Sequence, residues 1–122
     1  MIYIKKFIRS LNSAKNGIYS VFASEQNFRI QTYSAVVVIL LAILFKVSKL
    51  EWMILLLLIM LVLLTEIVNT AIEKFNDLLK PRLHHYVHVI KDIMAGSVLL
   101  VSVISFIIGL IIFLPYFINL LK

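Results

Sequence analysis

Three apolar stretches constrain this chain more than any other feature. The first runs from Thr32 to Val47 and is broken only by Lys46. The second begins at Trp52 and is uncharged until Glu66; the third, Ile93 to Leu114, has no charged residue. A helix needs roughly 20 apolar residues to cross a bilayer, with a range of about 17–25. The third stretch meets that length alone. The first two meet it if Lys46 and Lys49 snorkel and if Tyr33 and Trp52 sit at the interface. The chain is only 122 residues long and 62% hydrophobic, with a mean hydropathy of +1.05. A fold of this size has too little interior to hide that much apolar surface from water. A water-soluble globular protein and a disordered chain are thereby excluded. The reading is an all-α membrane protein of one domain with three transmembrane helices, at about 30–48, 50–79 and 92–118.

The basic residues orient it. Lys5, Lys6, Arg9, Lys15 and Arg29 precede the first span, and Lys74, Lys80, Arg82 and Lys91 lie between the second and third. The other side holds only Lys46, Lys49 and Lys122. The positive-inside rule then puts the N-terminus in the cytoplasm and the C-terminus outside. The formal net charge of +6 marks contact with anionic lipid, not nucleic acid. Nothing near Met1 resembles a cleavable signal peptide, since no long apolar run follows the early charges. Phe7, Leu11, Ala14, Ile18 and Phe22 fall on one helical face, which predicts an amphipathic surface helix over about 4–28. Asn16-Gly17 is a turn signal inside it. Lys80-Pro81 should end the second span, leaving Arg82 to Lys91 as the one sizeable polar loop.

The candidate chemistry lies at the end of the second span. Glu66, Asn69, Glu73 and Asp77 stand at i, i+3, i+7 and i+11, one stripe of a helix, with the two glutamates about 10 Å apart along its axis. Carboxylates at the edge of hydrocarbon are costly, so they mark a functional site more often than a solvated helix end. Three acids and an amide on one face suit a divalent cation bound together with phosphate, and magnesium is commonly held that way. Glu25 and Arg29 read as a surface ion pair, and Lys91-Asp92 as a helix start with a snorkelling lysine. His84, His85 and His88 are irregularly spaced, and there is no cysteine to join them in a zinc site. Ser105 and Gly109 mark close helix packing. Glycines occur only at 17, 96 and 109, so there is no Walker A or kinase glycine-rich loop.

Together these residues resemble the small integral-membrane diacylglycerol and undecaprenol kinases of bacteria. Glu66-Ile-Val-Asn69-Thr-Ala-Ile-Glu73, followed by Asp77, is similar to that family's Glu-x-x-Asn-x-Ala-x-Glu-x-x-x-Asp signature. Lys91-Asp92-Ile-Met-Ala-Gly96-Ser-Val-Leu resembles its Lys-Asp-x-x-Ala-Gly-Ala-Val-Leu segment, and Glu25-Gln-Asn-Phe-Arg29 its Glu-x-Asn-x-Arg element. Gly17 and His84 fall where the family has a glycine and a histidine.

The resemblance implies a homotrimer embedded in the bacterial cytoplasmic membrane, with composite sites where subunits meet at the cytoplasmic interface. It implies ATP-dependent phosphorylation of a lipid hydroxyl, with Glu66 as catalytic base and Glu25 and Glu73 holding Mg2+. Asn69, Asp77, His84, Lys91, Asp92 and Gly17 would position the nucleotide. Undecaprenol is favoured as the lipid, a diacylglycerol-specific kinase making phosphatidic acid being the alternative. Gln31 departs from the acidic residue or histidine of the family, Arg82 from an acidic residue, and Ser97 from an alanine. From the carboxylates alone, a small oligomeric channel or ion-translocating subunit remains the competing class.

Overall fold

A computed structural model describes residues 1–122 as four helices without strands: α1 (Ile4–Ser24), α2 (Gln26–Phe45), α3 (Lys49–Leu79) and α4 (His84–Leu121). The last three are long and apolar enough to cross a membrane. Their outward faces carry residues such as Leu40, Leu57, Leu100 and Phe106, all exposed, while only 11 of 122 residues are buried. Side chains of this kind need hydrocarbon around them, and closed helical hydrogen bonding lets the backbone lie there. The chain is therefore a multi-pass membrane protein. α3 is the central element, touching α1, α2 and α4.

The α1–α2 boundary differs from the sequence expectation. The surface helix ends at Ser24 instead of continuing to about residue 28, because Glu25 is extended (φ −112°, ψ 113°). Arg29 stabilises the break. Its guanidinium donates to the carbonyls of Phe22 and Ala23 at 2.9 Å each, filling the acceptor positions that the end of α1 leaves open. The expected Glu25–Arg29 ion pair does not form, since Arg29 is engaged there. Phe22 meets Phe28 and Tyr33 edge to face across the same corner. Asn16-Gly17 does not interrupt α1. A single glycine costs a helix about 1 kcal/mol, too little to break one of 21 residues.

At the other end of the bundle, α2 stops at Lys46, a left-handed residue (φ 51°), and Ser48 starts α3. Ser48 Oγ accepts from the Glu51 N–H at 3.2 Å, and Glu51 Oε1 accepts from the Ser48 N–H at 2.9 Å. This reciprocal capping box fixes the corner. Tyr116 of α4 donates its hydroxyl to the same Glu51 carboxylate at 2.5 Å. Phe45 stacks on Tyr116 and contacts Phe113 and Phe117, above a core of Ala42, Val47, Leu55, Ile112 and Phe113.

Lys80 ends α3 as the sequence suggests, but the polar loop is much shorter than Arg82 to Lys91. α4 begins at His84, so Lys91 and Asp92 lie in its interior and Asp92 is not an N-cap. No proline or glycine lies between Arg82 and Lys91, and Val87 is buried against the bundle, so the helix extends down to the turn. Polarity shows here only that this part of α4 projects beyond the hydrocarbon.

Candidate functional site

The polar end of the bundle is built around Glu66, whose side chain is 1% exposed. Burying a carboxyl costs several kcal/mol unless its oxygens are satisfied, yet Glu66 Oε2 has no hydrogen-bond partner. Its surroundings are the side chains of Asn69 and Gln31 and the carboxyls of Glu25 and Glu73. Thr70, also buried, donates to the Glu66 carbonyl at 2.9 Å and uses its hydroxyl within α3. The buried Glu66 carboxyl therefore keeps one oxygen without a partner inside the folded chain.

A cavity of about 400 Å³ opens beside it. α2 lines this cavity with Asn27, Ile30 and Gln31, α3 with Glu66, Asn69 and Glu73, and α4 with Lys91, Ala95, Val98, Leu99 and Ser102. The i, i+3, i+7 spacing on α3 does aim three of its polar residues one way. Glu25, at the α1–α2 break, borders Glu66 from the surface side. Three carboxyls face one lysine here, an excess of negative charge that suits a divalent cation. No three His, Asp or Glu side chains come close enough to enclose a metal by themselves. Glu25 and Glu73 are hard oxygen donors, and a pair of carboxylates completed by phosphate oxygens is a usual setting for magnesium. The donor set fits that ion.

Other candidate residues lie outside the cavity. Asp77 is exposed and reaches Lys80 at 4.0 Å. Asp92 is exposed, 3.6 Å from His88. His84 is exposed at the start of α4, and Gly17 is exposed on α1 with open space where a side chain would stand. His84, His85 and His88 form no metal-binding group with acidic neighbours.

Besides Gln31, read only as a departure from the family pattern, three polar residues were not counted among the site residues from the sequence. Asn27 and Ser102 line the cavity, and Asn76 is buried with its Oδ1 unpaired. Asn76 had a signal: with Glu66, Asn69 and Glu73 it stands at spacings of three, four and three. Ser102 had none, being one serine in an apolar run.

A family model described as prokaryotic diacylglycerol kinase matches residues 12–113. Over 112 residues the chain is 39% identical to the undecaprenol kinase of Bacillus subtilis, covering 92% of this chain and 91% of that protein. Over 113 residues it is 34% identical to the diacylglycerol kinase of a Synechocystis species, covering 92% of this chain and 65% of that protein. No solved structure matches it significantly.

Proposed function

The chain belongs to the prokaryotic diacylglycerol kinase family, and from that premise we propose that it transfers the γ-phosphate of ATP to the hydroxyl of a membrane lipid. Membership makes it a lipid kinase. The reaction takes place at the cytoplasmic interface, with undecaprenol preferred to diacylglycerol.

The observation that carries this reading is the buried Glu66 carboxyl, with one unpaired oxygen, facing a cavity that also holds Asn69, Glu73 and Lys91. Glu66 takes the proton of the lipid hydroxyl as its oxygen attacks the γ-phosphorus. The bond from that phosphorus to the bridging oxygen breaks, and ADP leaves. Phosphoryl transfer asks little covalent chemistry of a protein beyond alignment and charge compensation. Lys91 supplies positive charge, Asn69 a neutral donor, and Glu25 and Glu73 would hold Mg2+. When bound, the ion neutralises phosphate charge.

Asp77, His84, Asp92 and Gly17 face outward from a single chain. In a homotrimer they would border a neighbour's cavity and contact the nucleotide there. The nine basic residues assigned to one side favour placing this end in the cytoplasm, where ATP is. Higher identity and coverage with an undecaprenol kinase than with a diacylglycerol kinase support the lipid preference.

The test is transfer of labelled phosphate from ATP by purified protein in mixed micelles to undecaprenol and diacylglycerol. The expected result is Mg2+-dependent product with both lipids and a higher kcat/KM for undecaprenol. No transfer to any lipid alcohol would overturn the reading; preference for diacylglycerol would overturn only the choice of lipid.

A further inference from the structure

Read as part of a loop, His84, His85 and His88 have no regular spacing. In the structure they occupy the first turns of α4, which begins at His84, and the spacing acquires a meaning. Residues four apart on a helix share a face, with Cβ atoms about 5–6 Å apart. His84 and His88 therefore stand one turn above the other, and both are exposed. His85 is rotated about 100° from His84 and packs its ring edge to face against Tyr86, centroids 5.8 Å apart. Val87 marks the buried side of this stretch, and Lys91, the first residue of α4 to line the Glu66 cavity, falls about 20° from His84 around the helix. The His84–His88 pair thus continues the Lys91 face toward the start of α4, just beyond the surface end of that cavity.

Two imidazoles one helical turn apart chelate a divalent transition ion, the use that helical zinc sites make of histidines at i and i+4. Imidazole suits zinc, copper and nickel, whereas magnesium takes oxygen ligands. The chemistry of this pair therefore differs from that of Glu25 and Glu73. Asp92, one turn further along the same stripe, has Oδ2 3.6 Å from His88 Nε2. That is too long for a hydrogen bond, yet it puts a carboxylate behind the His88 ring. When one ring nitrogen binds a metal, a carboxylate at the other fixes the ring and raises its basicity. Asp92 also offsets the charge of Lys91. No three such side chains enclose an ion here, so water completes the shell and binding is reversible.

We propose that His84 and His88 form a site for a zinc-like divalent ion, separate from the Mg2+ position, and that filling this site slows the kinase. The second half rests on the kinase reading above, in which His84 contacts nucleotide. An ion that ties the His84 ring to His88 withdraws it from that contact. Turnover then responds to free transition metal at constant Mg2+ and ATP.

Two measurements test this on the full chain freed of any histidine tag. The first is calorimetric titration with Zn2+ in excess Mg2+ and without ATP. One ion per chain is expected. His84→Gln and His88→Gln should each weaken binding about tenfold or more, since even a group behind a metal ligand is worth that much. His85→Gln should leave binding unchanged. No binding, displacement of Zn2+ by Mg2+, or a loss confined to His85→Gln would overturn the site. The second is phosphate transfer at buffered free Zn2+ with ATP held as its Mg2+ complex. Zn2+ should raise the KM for ATP, and a chelator should restore it. His88→Gln should keep the metal-free rate and lose the response to Zn2+. Bound Zn2+ without a change in KM, or an undiminished response in His88→Gln, would overturn the regulatory half. Absence of all transfer by the unaltered protein, with Zn2+ binding as expected, would overturn the kinase reading and leave the site standing.

Discussion

The two ends of the helical bundle solve the same problem in opposite ways. At the α2–α3 corner polar groups near the apolar core pair with one another: Ser48 and Glu51 cap each other, and Tyr116 closes on Glu51. At the α1–α2 corner and along the C-terminal half of α3, Gln31, Glu66 and Asn76 each keep a buried oxygen unpaired. The first end is packed with aromatic rings, and the second holds an open polar cavity. Unsatisfied buried groups lower stability, and a fold tolerates them where a ligand is to satisfy them. The first end is built as structural support, and the second is the end to which the chemistry is proposed to belong.

Substitutions can break this contrast. The largest effect short of removing Glu66 is expected from Glu73→Gln. It should lower kcat/KM by about two orders of magnitude, since positioning groups in phosphoryl transfer act on the transition state. Raised Mg2+ should restore part of the rate; a Mg2+ titration indistinguishable from the unaltered protein would remove Glu73 from the metal-holding role. At the opposite end, Tyr116→Phe deletes one interhelical hydrogen bond. Such bonds in membrane proteins contribute about 0.6 kcal/mol on average and up to about 1.7. A small fall in thermal stability with turnover retained is expected, and a large loss of turnover would mean that the two ends are coupled.

The smallest effect is expected from Arg29→Met, which leaves the Phe22 and Ala23 carbonyls to water. Because this corner is partly exposed, the cost should be under about 1 kcal/mol. Hydrogen exchange should nonetheless quicken around residues 22–27, and turnover should fall a few-fold because Glu25 sits at the same break. Unaltered exchange there would show that the aromatic contacts alone hold α1.

How legible this molecule is in its sequence also differs between the ends. Helix number, the limits of α3 and the Glu66–Asn69–Glu73 face follow from hydrophobic runs and a 3.6-residue period, both local signals. The break at Glu25 does not, because it depends on Arg29 reaching back six and seven residues to carbonyls that carry no sequence label. The start of α4 at His84 was hidden because its first turns are polar, and polarity there reports solvent instead of a loop. Asp77 shares the stripe with Glu66 by angle alone, but it lies beyond the packed part of the helix and turns to Lys80. Gln31 was visible only as a departure from a family pattern. Its position in the polar cavity depends on packing of three helices, which no local pattern encodes.

The most direct measurement is the turnover of Glu66→Gln in protein shown to keep its helix content, oligomeric state and ATP affinity. Glutamine preserves the shape of the buried side chain and removes the proton acceptor. A loss of about 10²–10⁴-fold in kcat, the usual contribution of a general base, is the expected result. Near-normal turnover from that folded variant would contradict the assignment of Glu66 as base and, with it, the placement of the chemistry at this end of the bundle.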